Sequence, residues 1–422
     1  MLLFVQNVGH RSKFNQRVTQ KERKGNQMVQ ELKKFCSIGI ILGLIFMPLT
    51  ICLSYNLQDY LWTYDTKGYI RSVVLSRDGQ FVVVGGSKGI FLFNRSLSTP
   101  LWSYNSGAEV WQVSLSHDNQ YIAAASDDHH IYLFNKNSSI PLWTYEAGDQ
   151  VHSVAISGDG QYIIAGSIDH KVYFFSRPNS TPLWTYTMGT IIGSVTISID
   201  GQYIAASCVS NELHFFNRTS STPLWSYYFP YIGIYDLALS DDGYYLAAGS
   251  RNSTYYFTRN NSTPLWTYET GYRLISVAIS SDGQYLIAGS WDNSMYYFNR
   301  TNSTPSWSFQ TGGKIDSVAI SANGQFIVAG SDDGNVYFFN RSSATSLWVY
   351  TAGNFIRGVA TSENGHYIVA GCMDNKIYVF EKDLSTNGGN GLSIAGWDAI
   401  FTLTGVILIG ILSYYKLKRI KN

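Results

Sequence analysis

The chain has 422 residues, a formal net charge of +1 and 15% aromatic residues. Its two terminal segments carry twelve basic and two acidic residues, which leaves a net charge of −9 on the remainder. An acidic remainder argues against a nucleic acid as the partner.

The first 55 residues predict a basic tail followed by an apolar segment. Residues 1–34 contain eight Lys or Arg, and residues 35–55 form 21 residues without a charge, enough to span a bilayer as a helix. Two interpretations of 35–55 stay open: an uncleaved transmembrane anchor, or a secretory signal starting at Met28 that lacks a small-x-small cleavage site. Both predict that the following domain is exported.

Residues 56–382 predict the folded domain, because a tryptophan recurs there at a spacing of 40 residues once and 41 thereafter. Each unit contains four short runs rich in Val, Ile, Tyr and Phe, separated by turn residues, which is typical of β-strands. Four strands per unit make one blade, so the sequence predicts an all-β, eight-bladed β-propeller. The alternative, an open β-solenoid, fits poorly because solenoid units are shorter or helical. The repeated tryptophans are Trp62, Trp102, Trp143, Trp184, Trp225, Trp266, Trp307 and Trp348.

Turn chemistry and ring closure can also be predicted from the repeat. In residues 142–182, Asp159-Gly160 lies between the second and third apolar runs, where a type I′ hairpin turn needs positive φ at both central residues. A Leu-Trp run precedes the first unit, and none follows the last strand at 377–380. We therefore expect the N-terminal strand to complete the blade built by residues 358–381, which removes an open sheet edge.

The four cysteines predict no intramolecular disulfide. Cys36 and Cys52 lie in the first apolar segment, while Cys208 and Cys372 occupy the same repeat position four blades apart. Two Cα atoms must come within about 7 Å to be bridged. Stability is therefore expected to come from aromatic packing between blades.

The C-terminal segments predict a second membrane span. Residues 383–397 form a Gly/Ser/Asn linker, 398–415 a transmembrane helix, and 416–422 a basic tail. Basic flanks at both ends place both termini in the cytoplasm and the propeller outside. Asn-x-Ser/Thr sequons agree with an exterior location, although Asn, Ser and Thr are also common loop residues. The predicted glycosylation sites are Asn94, Asn137, Asn179, Asn217, Asn252, Asn261, Asn299, Asn302 and Asn340, with an overlapping sequon at Asn260.

The repeat contains S-V-x-x-S-x-D-G-Q-Y, then A-G-S-x-D, then a hydrophobic strand ending in an aromatic residue plus Asn. Over roughly residues 60–381 the chain resembles the WD40-like propellers. The tryptophan that ends each unit is also similar to the docking tryptophan of eight-bladed quinoprotein propellers. The C-terminal segment resembles anchors of archaeal surface proteins. These resemblances imply a membrane-anchored propeller on a cell surface.

The chain departs from the WD40 pattern at the end of the third strand. Phenylalanine stands where that family has Trp, and the Gly-His before the first strand is missing, so the family's hydrogen-bonded tetrad cannot form as usual. The turn aspartates remain at Asp128, Asp169, Asp292, Asp333 and Asp374. The phenylalanines are Phe93, Phe134, Phe175, Phe216, Phe257, Phe298, Phe339 and Phe380.

The copies differ most on one face of the predicted propeller. This mouth face carries the loops that enter the innermost strands and the turns between the second and third strands of each blade. The opposite, base face carries the Asp-Gly turns, the sequon loops and the attachments to the membrane segments. Aromatic and charged residues around a central opening predict a ligand- or partner-binding surface, and free drift of exposed positions is the alternative. The predicted binding residues are Arg71, Glu109, Trp111, His152, Tyr235, Arg273, Trp291, Lys314, Asp316 and Arg357.

Catalysis has little support, since the sequence has no Gly-rich phosphate loop and no Cys-x-x-Cys. We expect no catalytic residue and no cofactor, because no repeat position carries a set of quinone and calcium ligands. One cluster of histidines and carboxylates on the mouth face could in principle hold a divalent metal, although Asp128 and Asp169 are better explained as turn residues. The metal candidates are Asp127, His129, His130 and His170, with His152 nearby.

The sequence thus predicts a membrane-anchored extracellular propeller that binds a protein, a glycan or a small ligand. A propeller enzyme with a metal or quinone at the channel opening is the competing class. A purely structural surface protein is the third.

Overall fold

The computed structural model describes residues 60–230 and 233–382, and within them it contains 32 β-strands. The predicted tails, membrane segments and linker lie outside the described residues. In the described part of the chain, no helix is long and apolar enough to cross a bilayer.

The strands are short and evenly spaced along the chain. In chain order they are β1 (Trp62–Asp65), β2 (Ile70–Leu75), β3 (Phe81–Gly86), β4 (Gly89–Asn94), β5 (Pro100–Tyr104), β6 (Val110–Leu115), β7 (Tyr121–Ser126), β8 (His130–Asn135), β9 (Trp143–Glu146), β10 (Val151–Ile156), β11 (Tyr162–Ser167), β12 (Lys171–Ser176), β13 (Trp184–Thr187), β14 (Ile192–Ile197), β15 (Tyr203–Cys208), β16 (Glu212–Asn217), β17 (Trp225–Tyr228), β18 (Ile234–Leu239), β19 (Tyr245–Ser250), β20 (Ser253–Thr258), β21 (Trp266–Glu269), β22 (Leu274–Ile279), β23 (Tyr285–Ser290), β24 (Ser294–Asn299), β25 (Trp307–Gln310), β26 (Ile315–Ile320), β27 (Phe326–Ser331), β28 (Asn335–Asn340), β29 (Ser346–Thr351), β30 (Ile356–Thr361), β31 (Tyr367–Cys372) and β32 (Lys376–Glu381).

The strands form eight four-stranded antiparallel sheets, which confirms the predicted eight-bladed propeller. Blades I to VII follow the chain, from β2-β3-β4-β5 to β26-β27-β28-β29. The first strand of each sheet contacts the first strands of both neighbouring sheets, and β2 contacts β30, so these inner strands close a ring. The closed ring excludes the open solenoid.

The N-terminal strand completes the eighth blade, as predicted. Blade VIII has the order β1-β32-β31-β30. Trp62 lies opposite Val379 and Asp65 opposite Lys376, while Thr63 donates a hydrogen bond to the carbonyl of Ile377, 314 positions away. The described chain therefore starts and ends in one blade, on the base face.

The Asp-Gly turns differ from the prediction in one respect. Gly160 has φ +65°, but Asp159 is not among the residues with positive φ, so the type I′ assignment is wrong. The amide of Gly160 donates to the carbonyl of Ser157, and Asp159 Oδ1 accepts hydrogen bonds from Ser157 Oγ and the amide of Gln161. Five residues separate β10 from β11, which is long enough for a turn that the side chains of Ser157 and Asp159 stabilise. Only the fourth of these residues, Gly160, adopts the left-handed conformation.

Each blade buries its middle strands on both faces. All eight phenylalanines of the third-strand column are 0% exposed. Burying an aromatic side chain of this size removes about 150–250 Å² from water, so this column supplies much of the packing between blades.

Each outer-strand tryptophan fastens its blade to the next one. Trp143 of β9 donates through Nε1 to the carbonyl of Arg177 at 2.7 Å, and the Arg177 guanidinium lies 4.3 Å from the ring centre of Tyr121. Seven tryptophans make this bond, and Trp348, the most buried of the set, has no acceptor for Nε1 among the described residues. The similarity to a docking tryptophan therefore has a geometric basis.

Tyrosine–aspartate pairs replace the missing tetrad in five blades. Tyr296 donates to Asp292 Oδ2 at 2.8 Å, and Asp292 also accepts from the amides of Ser294 and Gly271. Equivalent pairs join Tyr132, Tyr173, Tyr337 and Tyr378 to their aspartates. The turn aspartates thus hold their tight turns, as expected.

The two cysteines in the described part of the chain, Cys208 and Cys372, are buried and free, in agreement with the prediction. Burial raises the pKa of the Cys372 thiol to about 12. Such a thiol stays protonated and is a poor nucleophile.

Candidate binding site at the mouth face

A β-bulge places the most variable residue of each blade at the central opening. In blade I, Ile70 pairs with Gly86 and Ser72 with Gly85, so Arg71 is the extra residue. All eight inner strands have this irregularity at the same position. A bulge re-aims one side chain away from the sheet's regular packing, which explains why this column varies more than the positions on either side of it. The bulge residues are Arg71, Trp111, His152, Gly193, Tyr235, Ile275, Asp316 and Arg357.

The first group of predicted residues lies on blades I to III. Arg71 forms an ion pair with Glu109, which also accepts a hydrogen bond from Tyr69 at 2.6 Å. The Arg71 guanidinium lies 4.5 Å from the ring centre of Trp111, whose other neighbour, His152, stacks at 4.0 Å. These contacts link four residues in a row, namely Arg71, Glu109, Trp111 and His152. The carboxylate of Glu109 neutralises the positive charge of Arg71.

His152 ends this chain in a half-buried position. Its Nε2 lies 3.2 Å from Asp127 Oδ1 and 3.3 Å from Gln150 Oε1. Burial lowers the pKa of His152, and the charge of Asp127 opposes that effect. The lowered pKa favours the neutral imidazole at neutral pH. The neutral ring stacks on Trp111 and is not poised to donate a proton to a ligand.

The second group lies on blades V to VIII and is centred on Trp291. Trp291 Nε1 donates to Asp316 Oδ1 at 3.0 Å, and Asp316 forms an ion pair with Arg357. Burial and the neighbouring carboxylate of Asp332 raise the pKa of Asp316 to about 7, against the opposing effect of Arg357. Asp316 therefore fixes both the indole and the guanidinium beside it.

The remaining predicted residues surround the same indole. Arg273 lies 5.4 Å from the ring centre of Trp291 and 5.6 Å from that of Tyr235, and Lys314 Nζ lies 4.3 Å from Trp291. The ten predicted binding residues thus fall into two separate groups of four and six rather than one continuous site.

The predicted metal candidates do not converge. His129 Nε2 lies 3.9 Å from Asp149, and His130 Nδ1 contacts the carbonyl of Asp128 at 2.8 Å. His129 and His170 have φ of 71° and 72° because they occupy left-handed turn positions. Across residues 60–230 and 233–382, no three His, Cys, Asp or Glu side chains are grouped as a metal site.

Asp236 is a channel residue that the sequence interpretation missed. Five blades have a serine one position after the bulge. The hydroxyls of Ser153, Ser276 and Ser317 each accept a hydrogen bond, at 3.0–3.1 Å, from a backbone amide in the inner strand of the next blade. Asp236 occupies this position in blade V, and its Oδ2 accepts a hydrogen bond from the amide of Val277 at 2.9 Å. Burial raises its pKa to about 7. The sequence could have indicated this residue, because Asp236 stands where five other blades have serine.

The base of the channel is crossed by a second missed contact. Arg77 of blade I forms an ion pair with Asp241 of blade V and donates to Ser281 Oγ at 2.9 Å. Blades I and V are opposite each other, so this side chain crosses the axis. Around it, seven backbone hydrogen bonds join the corresponding turns of all eight blades, from Asp118 to Arg77. An ion pair between opposite blades therefore crosses the base end of the channel.

The sequons lie on the base face except for Asn252, which is in the turn between β19 and β20 on the mouth face. Asn137, Asn179, Asn261 and Asn302 are exposed, whereas Asn94, Asn217, Asn252, Asn299 and Asn340 are half-buried. In four of the half-buried sequons, Ser96, Thr219, Thr301 and Ser342 donate to the Asn side chain two residues before them. Glycosylation stays a prediction, with the exposed group as its best test.

The family model described as outer membrane protein assembly factor BamB matches residues 59–268. The WD domain, G-beta repeat model matches residues 262–299, 303–340 and 344–381. Comparison of the sequence with curated proteins finds no match.

Solved structures of Chaetomium thermophilum Sqt1 are similar in fold. Sqt1 bound to the N-terminus of the ribosomal protein L10 is 17% identical, with a TM-score of 0.67, and the match covers 77% of this chain and 100% of Sqt1. Sqt1 alone is 16% identical, with a TM-score of 0.69 and coverage of 79% and 100%. With the family matches and the eight blades, these findings show a repeat propeller of WD40-like and quinoprotein-like kind.

Proposed function

We propose that the chain is a protein-interaction module that binds its partner through the mouth face, with the propeller held outside a cell by its terminal segments. The observation that carries this proposal is the bulge in all eight inner strands. It places one variable position per blade at a single opening, on strands whose regular packing all eight blades share. Rigid strands that carry diverse aromatic and charged side chains are suited to partner recognition.

The comparisons favour a protein as the partner. The Sqt1 structure is described as bound to the N-terminus of a ribosomal protein, and the BamB description is that of an assembly factor. Both are protein-binding roles in those proteins. The mouth face has the aromatic and arginine content that is enriched at protein interfaces.

The membrane context rests on the sequence and on where the described chain ends. Tyr60 and Lys382 lie in blade VIII at the base face. Membrane segments that extend from these points would turn the base face toward the bilayer. The mouth face, with the varied side chains, would then face away from it.

A photo-crosslinking amino acid at the mouth face tests the binding role. Placed at Tyr272, which is 48% exposed, or Phe355, 42% exposed, in the full-length chain, it should form a covalent adduct with one distinct protein in cells. Leu101, 47% exposed on the outer rim, is the matched control and should not form this adduct. The adduct should also disappear in a Trp291→Ala variant. Equal adducts from Leu101, or none from the mouth face, would contradict the proposal and favour a structural protein.

Protease and glycosidase treatment of intact cells tests the location. With an epitope after Asn422, we expect protease to degrade the propeller while the tag stays protected, and deglycosylation to lower the mass. A protected propeller without a mass shift would reverse the topology and show that the sequons are unused. Detergent-permeabilised cells provide the control, because protease then reaches every segment.

A further inference from the structure

We propose that one part of the mouth face, formed by Tyr235, Tyr272, Arg273, Trp291 and Lys314, binds an acidic segment of the partner protein. We call this set the cation–aromatic shelf. The inference rests on the proposed function and adds the chemistry of the partner to it.

The shelf carries two cations that share one indole. Arg273 lies 5.4 Å from the ring centre of Trp291 and 5.9 Å from that of Tyr272, and Lys314 Nζ lies 4.3 Å from Trp291. Contacts between a cation and an aromatic ring at such distances are attractive. They hold both positive groups against the aromatic surface without neutralising them.

Neither shelf cation forms an ion pair within the described residues, in contrast to Arg71 and Arg357 of the same face. Arg71 is neutralised by Glu109, and Arg357 by Asp316 with Asp332 at 3.7 Å. Moreover, Arg273 Nε is buried without a hydrogen-bond acceptor among the described atoms. A buried donor without a partner is unfavourable, and Arg357 Nε is in the same state, so the missing ion pair is what distinguishes Arg273 from Arg357.

The shelf is held in place before any ligand arrives. The backbone amide of Trp291 donates to the carbonyl of Arg273 at 2.8 Å, and the amide of Asp332 donates to the carbonyl of Lys314 at 2.8 Å. The indole itself is fixed by its bond to Asp316 at 3.0 Å. A ligand therefore pays little to order these side chains, and pre-organisation of this kind favours tight binding.

An acidic peptide matches both properties of the shelf. Carboxylates would accept charge-assisted hydrogen bonds from Arg273 and Lys314, and an arginine can bind a carboxylate through two parallel bonds. Apolar side chains between the carboxylates would cover the ring of Tyr272, which is 48% exposed. A free inorganic anion would use the charges and leave this ring in water.

Fluorescence anisotropy with the full-length protein tests the assignment. The probe is a labelled peptide of about twelve residues that repeats Glu-Phe-Glu-Gly, and its partner probe replaces every Glu by Gln. We expect the acidic peptide to bind at least tenfold more tightly and to weaken as salt rises. Arg273→Gln and Lys314→Gln should each weaken binding by about five- to tenfold.

Lys171→Gln is the matched control, because it removes one exposed mouth-face cation on blade III without touching the shelf. It should change the affinity by less than twofold. Urea unfolding should show the same midpoint for all three variants, which separates loss of binding from loss of folding.

Three results would overturn the assignment. They are equal affinity for the Glu and Gln peptides, equal weakening by Lys171→Gln, or displacement of the acidic peptide by a uronic-acid oligosaccharide that binds the shelf more tightly. In each case an adduct at Tyr272 in cells would leave the proposed protein-binding function intact. Absence of both the adduct and peptide binding would remove the function and the inference together.

Discussion

Replacing Asp65 and Lys376 by cysteine should raise the free energy of unfolding by about 4–6 kcal/mol once the disulfide has formed. The two residues are opposite each other in β1 and β32, and the adjacent pair is hydrogen-bonded through Thr66 and Asn375 at 2.9 Å. Positions 65 and 376 are therefore a non-hydrogen-bonded pair, where Cα atoms approach within bridging distance. The bridge closes a loop of about 310 residues, so it restricts the unfolded chain strongly. Urea unfolding with and without reducing agent measures the difference.

The matched control is a cysteine pair at Lys171 and Thr187, which occupy the same register in β12 and β13 of blade III. This bridge closes a loop of only about 15 residues, for which the expected gain is about 3 kcal/mol. The gain from the closing pair should exceed that of the control, and reduction should abolish both. Equal gains would mean that separation of β1 from β32 does not limit the stability of the ring.

Replacing Asp236 by serine should stabilise the protein by about 3 kcal/mol at pH 8 and by almost nothing at pH 4. Serine is the residue that five other blades use at this position, and its hydroxyl can accept the amide of Val277 as Ser153 accepts that of Val195. The substitution keeps the hydrogen bond and removes a charge that the packed inner strands desolvate. Chemical unfolding of both proteins from pH 4 to pH 9 measures the effect.

The direction of this pH dependence follows from the raised pKa of Asp236, which is about 7 in the folded protein against 3.8 as the ordinary value. The folded state then holds the proton more tightly than the unfolded state. The contribution of this carboxyl to stability is greatest below pH 4 and is lost as the pH rises toward 7. Asp149→Ser, which removes a more exposed carboxyl of the mouth face, is the control for the loss of one negative charge. A stability difference between Asp236→Ser and the natural chain that is independent of pH would contradict the argument.

The architecture could be predicted because the same sequence pattern occurs in eight repeats. Each unit repeats the same strand runs, turn residues and tryptophan, so an ambiguous run in one copy is resolved by the others. The closure of the ring could also be predicted, because the chain has an extra outer strand at Trp62 and no outer strand after Phe380. The Asp-Gly turn was assigned wrongly because a dipeptide does not determine how many residues separate two strands. Here the side chains of Ser157 and Asp159 stabilise a longer turn.

The binding surface was predicted in part, as a column of variable residues, and its internal organisation was not. A bulge leaves no mark on the alternation of apolar and polar residues, because the extra position is filled differently in every blade. Contacts between distant copies, such as Arg77 with Asp241, depend on ring geometry rather than on spacing along the chain. Likewise, only the three-dimensional structure distinguishes Arg71, which Glu109 neutralises, from Arg273, which has no carboxylate partner among residues 60–230 and 233–382.

The shared blade also has a consequence for protein synthesis. Thr63 must wait for Ile377, 314 positions later, before its strand can pair. At about 5–20 residues per second, this wait lasts roughly 15–60 s, during which seven blades can form but the ring stays open. A four-residue strand containing Trp62 and Tyr64 is exposed throughout this interval. The growing chain is therefore most vulnerable to pairing with a neighbouring nascent chain at its first strand, and a chaperone would be most useful there.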